Sequence, residues 1–313
     1  YKMKLIDILG PEIKLSICEK SIFRTNIGAM FTIMLICLGV LAFIGFGRDV
    51  FQKHNPNTTF TKEIGEVPSY TFDNSSTFMF ALVNNSNFLY PDEDRLFTTY
   101  MVYQDIDPAR VTEGKNSLQE TKYPLVKCSN DTVDPLALST LIQPVDKYWC
   151  LPKNVSFQIS GTFLTRKEQH IKINVDYCTN STINNNRCYD METIKTKLAL
   201  LSMHYVMFDN IIDHYREQPA VPTTIAGLIK TTWSTFSRTT FWLKNIKYIS
   251  DDGFILESDN TYRYTGIESL SQEIYAIPPN TISVYSHIIS LKPTLDVYRR
   301  NYLKIQGALA LIG

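Results

Sequence analysis

A run of 23 residues, Thr25 to Gly47, contains no Asp, Glu, Lys, Arg or His, and it constrains this chain more than any other feature. At about 1.5 Å per residue, a helix of that length is roughly 34 Å long and exceeds the roughly 30 Å hydrocarbon core of a bilayer. The run is apolar all round, whereas a helix buried in a soluble protein normally keeps one polar face. The sequence therefore predicts a transmembrane helix over residues 25–47.

A cleaved secretory signal is an alternative interpretation of the same run. Signals also combine a basic flank with an apolar stretch, but that stretch is usually about 7 to 15 residues long and ends at a small-residue cleavage site. A helix buried in a soluble core is a second alternative. The length and the uniform apolarity favour the membrane span over both.

The residues on either side of the run predict its orientation. Five basic residues precede it and three follow it closely: Lys2, Lys4, Lys14, Lys20 and Arg24 against Arg48, Lys53 and Lys62. This bias places residues 1–24 in the cytosol as a juxtamembrane segment. Six asparagines lie two positions before Ser or Thr, all after the run: Asn57, Asn74, Asn84, Asn130, Asn154 and Asn180. Such sites are glycosylated in secreted domains, so they too predict an exoplasmic location for residues 48–292.

The cysteines indicate an oxidising compartment. Cys18 and Cys37 fall before and within the apolar run, which leaves an even set of four beyond it: Cys128, Cys150, Cys178 and Cys188. Four cysteines permit three pairings. Each consecutive pair brackets a loop, and we therefore favour Cys128 with Cys150 and Cys178 with Cys188. A zinc site is the alternative, but the chain lacks a CxxC motif and a nearby cysteine–histidine cluster, so we expect no metal.

Residues 48–292 read as short strands separated by polar turns. Phe78–Val83, Phe97–Gln104 and Gln169–Cys178 are rich in aromatic and β-branched residues, and the last alternates apolar and polar side chains. Asp251–Gly253 predicts a hairpin turn before a strand at 254–260. One short helix is expected over 190–197, with Asp190 as its N-cap. The fold class is therefore mainly β, a single antiparallel sandwich with one or two short helices, flanked by membrane helices.

The last residues, 293–313, change character. Apolar and aromatic side chains recur there at spacings of 3, 4, 3, 4 and 3, the pattern of a helix interface: Leu295, Tyr298, Tyr302, Ile305, Leu309 and Ile312. Residues 305–313 carry no charge, and we read 293–313 as a helix that enters a second membrane span. A helix packed on its own domain is the alternative.

Few residues predict catalysis. Lys plus Arg and Asp plus Glu both number 31, so the net charge of zero argues against nucleic-acid binding. The chain lacks GxSxG, HExxH, GxGxxG and phosphate-loop motifs. Asp209, Asp213 and His214 form the nearest approach to a carboxylate–imidazole cluster, and such a cluster is more often solvated or capping. We therefore expect a non-enzymatic protein without a cofactor.

The ends of the chain resemble a known family. The resemblance is carried by the four cysteines and by four segments: Ile6–Gly10, Arg24–Thr32, Asp209–Pro222 and Tyr298–Gly313. These features resemble uncharacterised two-pass membrane proteins of ciliates. More distantly, Thr25, Gly28, Thr32 and the approach to the second span resemble ER-to-Golgi vesicle cargo receptors, which implies a lumenal β-sandwich between two spans. Ala29 departs from those receptors, since it stands where they have a second glycine.

Three functions remain open from the sequence. The first is an accessory or assembly subunit whose partners are membrane lipid and other membrane-protein subunits, in a homo- or hetero-oligomer. The second is a trimeric two-pass ion-channel subunit, although the apolar run offers little polar lining. The third, a cargo receptor, is implied by the resemblance alone. We rank them in that order and expect a location in the secretory pathway, at the cell surface or in the ciliary membrane.

Overall fold

The computed structural model describes residues 26–53, 55–64, 69–72, 77–84, 95–131, 133–142, 144–152, 155–161, 167–179, 188–199, 201–230, 232, 234–276 and 282–312. The predicted cytosolic segment 1–24 lies outside these residues. So do three of the candidate glycosylation sites: Asn74, Asn154 and Asn180.

Fourteen strands dominate the described residues: β1 Asn57–Ile64, β2 Tyr70–Phe72, β3 Phe78–Asn84, β4 Phe97–Ile106, β5 Leu118–Pro124, β6 Val126–Lys127, β7 Trp149–Cys150, β8 Phe157–Ile159, β9 Glu168–Tyr177, β10 Leu201–Ile212, β11 Ala220–Lys230, β12 Thr235–Asp251, β13 Asp259–Ala276 and β14 Ser283–Asn301. The helices are α1 Asn26–Gln52, α2 Ala109–Thr112, α3 Pro135–Leu138, α4 Met191–Leu198 and α5 Ile305–Ile312. The mainly β fold class is confirmed.

The strands form three sheets. The largest has the order β13-β12-β14-β9-β4-β5, with β1 also paired to β14; a five-stranded sheet has the order β11-β10-β3-β7-β6; and β2 pairs with β8. Antiparallel partners define the register in both larger sheets. In the smaller of the two, Tyr205 of β10 lies opposite Gly227 of β11 and Phe80 of β3.

The two larger sheets bury their apolar faces in one core. Phe78 of β3 and Tyr205 of β10 both contact Phe241 of β12, with ring centroids 5.8 and 5.1 Å apart. These side chains are fully or almost fully buried. Aromatic and aliphatic side chains together form this core, and burial of their apolar area stabilises the fold.

The chain divides into two compact units. The helical unit comprises Tyr1–Thr59, Ile249–Thr261 and Arg299–Gly313, and the β-rich unit comprises Phe60–Tyr248 and Tyr262–Tyr298. The helical unit contains α1 and α5, which pack on one another. The β-rich unit contains the shared core of the two sheets.

Helix α1 exposes many apolar side chains, whereas Ala29, Thr32 and Val50 on it are buried. Ten of the apolar side chains between Ile27 and Ile44 are at least half exposed: Ile27, Met30, Phe31, Met34, Leu35, Ile36, Leu38, Val40, Leu41 and Ile44. Over the residues that the structure describes, no helix meets both the length and the apolarity that a membrane span requires. The membrane spans predicted within 25–47 and from 293 onward therefore stay predictions.

The prediction of a helix beginning at residue 293 is wrong. Leu295 and Tyr298 lie in strand β14, which continues to Asn301, and the helix begins only at Ile305. The backbone of β14 pairs with β12, β9 and β1, so its amides and carbonyls are used in ladders. Tyr298 packs on Phe60 of β1 with ring centroids 5.0 Å apart, which is a cross-strand contact.

The prediction of a hairpin turn at Asp251–Gly253 is also wrong, because a longer loop connects the two strands. Strand β12 ends at Asp251 and β13 begins at Asp259, so residues 252–258 form a longer loop and not a turn followed by a strand. By contrast, the short helix near residue 190 is confirmed as α4. The carboxylate of Asp190 caps it by accepting a hydrogen bond from the Thr193 amide at 3.0 Å.

Candidate functional site

A cleft of about 490 Å³ lies in the β-rich unit. Its lining comes from six strands and from the beginning of helix α3. Four strands contribute three consecutive residues each: 208–210 of β10, 222–224 of β11, 245–247 of β12 and 263–265 of β13. Asp134 and Leu136 line one side of the cleft. Clefts of this size are the usual places where folded domains bind ligands or peptide segments.

Asp209 holds one wall of the cleft together. Its carboxylate accepts hydrogen bonds from the amides of Asn210 and Ile267, both at 2.8 Å. The side-chain amide of Asn210 donates to the carbonyl of Thr265 at 2.6 Å, which ties β10 to β13 a second time. A Cβ on Gly266 would lie 3.0 Å from the Asp209 carboxylate, so glycine permits this close approach.

The lining of the cleft holds two cations and two carboxylates, and they differ in how many hydrogen-bond partners they have. Lys247 and Arg263 line it, and neither has an ion-pair or hydrogen-bond partner among the described residues. The two carboxylates of the lining are already engaged, because Asp209 binds backbone amides and Asp134 caps α3 by accepting from the Leu136 amide at 2.8 Å. The cleft therefore suits a ligand that brings an acidic group.

Apolar side chains complete the cleft. Tyr70 and Phe208 stack with ring centroids 5.9 Å apart. Leu136 is 44% exposed, and Leu295 of β14 also lines the cavity. Cationic and apolar groups side by side are typical of surfaces that bind protein segments.

Asp209, Asp213 and His214, the nearest approach to a carboxylate–imidazole cluster in the sequence, each make their own local contacts. Asp213 accepts from the Tyr215 amide at 3.0 Å and from the Arg216 side chain at 3.2 Å. Nδ1 of His214 lies 3.2 Å from the Tyr248 hydroxyl, and its ring stacks on that of Tyr248. Asp209 is bound to β13, so the three side chains serve three separate local contacts.

Both predicted disulfides are confirmed. Cys128 is bonded to Cys150 and Cys178 to Cys188. The remaining cysteine of the described residues, Cys37, is free and exposed on α1. In the same part of the chain, no group of three His, Cys, Asp or Glu side chains is arranged to hold a metal ion.

A family model matches residues 77–292, which is more than two thirds of the chain. Its description is "Uncharacterised 80 kDa protein N-terminal domain". The chain belongs to this family. The matched residues of this N-terminal domain family include all four bonded cysteines and every lining residue of the cleft named above except Tyr70 and Leu295.

Two solved structures resemble this member of the family weakly. The structure of Erv41p is 8% identical, covers 78% of this chain and 99% of its own, and has a TM-score of 0.30. A proton-activated chloride channel is 11% identical, with 92% of this chain and 91% of that chain covered and a TM-score of 0.21. Likeness at these scores carries no argument about function. No curated protein sequence matches the chain.

The described glycosylation candidates differ in accessibility. Asn57 and Asn130 are exposed, whereas Asn84 is partly buried at the end of β3, where it pairs with Leu201. Modification requires an accessible side chain, so Asn57 and Asn130 are the better acceptors of the three. Glycosylation at these positions stays a prediction.

The predicted helix interface is dispersed. Leu295 and Tyr298 lie in β14, Tyr302 lies in the segment before α5, and Ile305 begins α5. The side chains of Leu309 and Ile312 lie outside the described residues. Helix α5 does pack on α1 in the helical unit, but the interface proposed for these six side chains stays a prediction.

Sequence reasoning missed the cleft itself. Lys247 and Arg263 are separated by sixteen positions along the chain and from Asp134 by more than a hundred, and only the strand order brings them together. The sequence holds one signal, since Asp209–Pro222 carries part of the resemblance to the two-pass membrane proteins. Its first two residues form a wall of the cleft.

Proposed function

We propose that this chain is a non-enzymatic, membrane-anchored subunit whose β-rich unit binds partner proteins. Helix α1 serves as the anchor, and the cleft around Lys247 and Arg263 receives an acidic segment of a partner. The partners are other membrane-protein subunits, and membrane lipid surrounds the helices. The cleft is the observation that carries the binding role, because it combines an apolar wall with two cations that have no partner among the described residues.

The surface of α1 supports the anchoring role. Ten of its apolar side chains are at least half exposed, an arrangement that costs free energy in water and is favourable in hydrocarbon. The run of 23 uncharged residues is long enough to cross a bilayer. Thr32 hydrogen-bonds back to the Gly28 carbonyl at 3.0 Å, which is how hydroxyls are accommodated in apolar surroundings.

The two disulfides support an exoplasmic location for the β-rich unit. Disulfides persist in oxidising compartments, such as the lumen of the secretory pathway or the cell exterior. With the basic flank before α1, this favours a cytosolic N-terminus. Deglycosylation of protein from intact membranes tests the orientation. A mass shift is expected, and an unmodified chain in its natural host would contradict it.

Charge reversal in the cleft tests the binding role. The double variant K247E/R263E should reduce the amount of co-purified partner at least about tenfold, equivalent to about 1.4 kcal/mol of binding free energy. The matched control is K122E/K230E, which makes the same charge change at exposed lysines outside the cleft. Equal recovery from both variants in detergent extracts of native membrane would contradict the proposal.

Ion conduction and cargo binding are the two alternative functions. The same co-purification separates them, because a channel subunit should be recovered chiefly with copies of itself and a cargo receptor with diverse soluble proteins. An assembly subunit should instead be recovered with a fixed set of membrane proteins. The identity and stoichiometry of the recovered proteins are therefore the decisive readout.

A further inference from the structure

The loop between β12 and β13 exposes three consecutive large apolar side chains. Phe254 is 44% exposed, Ile255 56% and Leu256 79%. Three neighbouring residues of this kind at the tip of a loop are unfavourable in water, where loop tips are normally polar. Such a tip indicates a surface that is covered by another apolar phase or molecule.

The loop is held in a defined shape. One carboxylate oxygen of Asp251 accepts hydrogen bonds from the amides of Gly253 and Ser258, at 3.1 and 2.9 Å. The Asp252 amide donates to the Ser258 carbonyl at 3.0 Å, which closes the base of the loop. A Cβ on Gly253 would lie 1.8 Å from the Leu256 carbonyl, so the backbone folds tightly there. These contacts fix the exposed tip.

The loop lies where α1 ends and α5 begins, all within the helical unit. The Ile305 amide donates to the Phe254 carbonyl at 3.0 Å, and the Gln306 side chain donates to the Ile255 carbonyl at 2.9 Å. The ring of Phe51, in the last turn of α1, lies 6.3 Å from that of Phe254. The apolar tip therefore lies beside Phe51, which is itself exposed in the last turn of α1.

The basic side chains around the loop are neutralised by its own carboxylates. Lys53 lies over the Phe254 ring at 4.9 Å and donates to the Asp252 carbonyl at 2.8 Å, with the Asp252 carboxylate 4.0 Å away. Lys304 pairs with Asp251 at 2.8 Å. The attraction of this region to a surface would therefore come from its apolar side chains more than from net charge.

We propose that Phe254, Ile255 and Leu256 insert into the boundary between headgroups and acyl chains of the bilayer that α1 crosses. The inference rests on the proposed anchoring by α1. Two apolar helices and an apolar loop meeting at one place give the helical unit three contacts with lipid. A third contact restricts the tilt of the protein on the membrane, because a single span leaves tilt free.

Fluorescent probes at single cysteines test the depth of the loop. In the C18S/C37S background, the variant L256C carries a nitrobenzoxadiazole label, and the full-length protein is reconstituted in phosphatidylcholine vesicles with doxyl-labelled lipid. The control T261C places the same label at an exposed position of β13 in the same unit. A third sample, labelled at the native Cys37 in C18S, reports on α1.

If the loop inserts, we expect a different result for each of the three labels. The Leu256 label should emit at shorter wavelength than the Thr261 label and should be quenched most by doxyl groups near the headgroups, about 5–10 Å into the bilayer. The Cys37 label should be quenched most by doxyl groups deep in the acyl chains. Raising the salt concentration should leave the Leu256 signal unchanged, because the neighbouring charges are paired.

The outcomes separate the loop from the anchor. If the Leu256 label behaves like the Thr261 label while the Cys37 label is quenched deep in the bilayer, loop insertion is overturned and the anchor stands. If all three labels report water, the anchor is overturned together with the loop. Deep quenching of the Leu256 label would also overturn the proposal, because it would place the loop in the hydrocarbon core.

Discussion

The hydroxyl of Tyr148 lies 2.8 Å from Nδ1 of His204 inside the β-rich unit. Both side chains are almost completely buried. Burial disfavours the charged imidazolium and lowers the pKa of His204 from 6.5 to about 4. The neutral imidazole is therefore part of the packed interior.

Acidification should destabilise the β-rich unit through this histidine. The unfolded state takes up a proton near pH 6.5 and the folded state does not, so stability is fully present above pH 6.5 and falls by about 1.4 kcal/mol per pH unit towards pH 4. Urea unfolding in detergent between pH 7.5 and 4.5 measures this slope. The variant H204Q should lower the slope by about that amount, and an unchanged slope would contradict the assignment.

His287 should add to the same acid sensitivity. It is fully buried, and burial lowers its pKa well below the ordinary value. Its Nδ1 lies 2.9 Å from the Tyr285 hydroxyl, which donates to Thr239 at 2.8 Å, so Nδ1 carries the proton. Nε2 has no hydrogen-bond partner among the described residues. In H204Q, the unfolding free energy should therefore still fall as the pH is lowered, because His287 remains. The double variant H204Q/H287Q should remove most of this remaining pH dependence.

The contact between Gly227 and Tyr205 predicts a steric effect. The two residues are cross-strand partners, and a Cβ on Gly227 would lie 2.4 Å from the Tyr205 hydroxyl oxygen. The variant G227A should lower the unfolding free energy by about 1–3 kcal/mol, because the ring must leave its place between the sheets. In the Y205L background the same substitution should cost much less. Equal costs in both backgrounds would contradict the clash.

Removal of either disulfide should lower the unfolding free energy, because the unfolded chain gains conformational entropy. This entropic loss of stability should be similar for the two bonds. The bonds span 22 and 10 residues, and each contributes roughly 3 kcal/mol on that account. Cys128 and Cys150 are also buried in a small core with Tyr148, so C128A/C150A loses packing that C178A/C188A keeps. Thermal unfolding of the two variants should rank the first as less stable. The reverse order would contradict this.

The sequence predicts the parts of the fold that local patterns determine. The alternating residues of β9, the cap at Asp190 and the two bracketed cysteine pairs all depend on neighbours within about 25 positions. Strand β14 has no such local pattern, because its side chains are buried or partly buried on both faces and show no period of two. The spacing of Leu295 and Tyr298 therefore fits a helix although both residues lie in a strand.

The cleft could not be predicted for a different reason. Its cations come from β12 and β13 of one sheet, and Asp209 comes from β10 of the other. A sequence pattern reports which residues share one face of one element, but it does not report how two sheets meet at their ends. The site therefore depends on topology. The sequence shows the chemistry of each lining residue, but it does not show which residues lie beside it in the cleft.

The ion pair between Lys244 and Asp296 gives the last prediction, and it depends on the corrected structure of β14. In a helix beginning at 293, Asp296 would be an exposed first-turn residue, and its loss would cost little. In the strand, Asp296 is 3% exposed. One of its oxygens lies 3.0 Å from the Lys244 ammonium, and the other has no hydrogen-bond partner in the part of the chain that the structure describes.

Removing Lys244 should leave a buried carboxylate without its counter-ion. The variant K244M should therefore lower the unfolding free energy by about 3 kcal/mol, near the lower limit for buried pairs because the lysine is partly exposed. The double variant K244M/D296L should recover most of this loss, since it removes the uncompensated charge as well. Urea unfolding of the two single variants and the double variant completes the cycle. If K244M is as stable as the wild type, Asp296 reaches solvent and the buried position of β14 is contradicted.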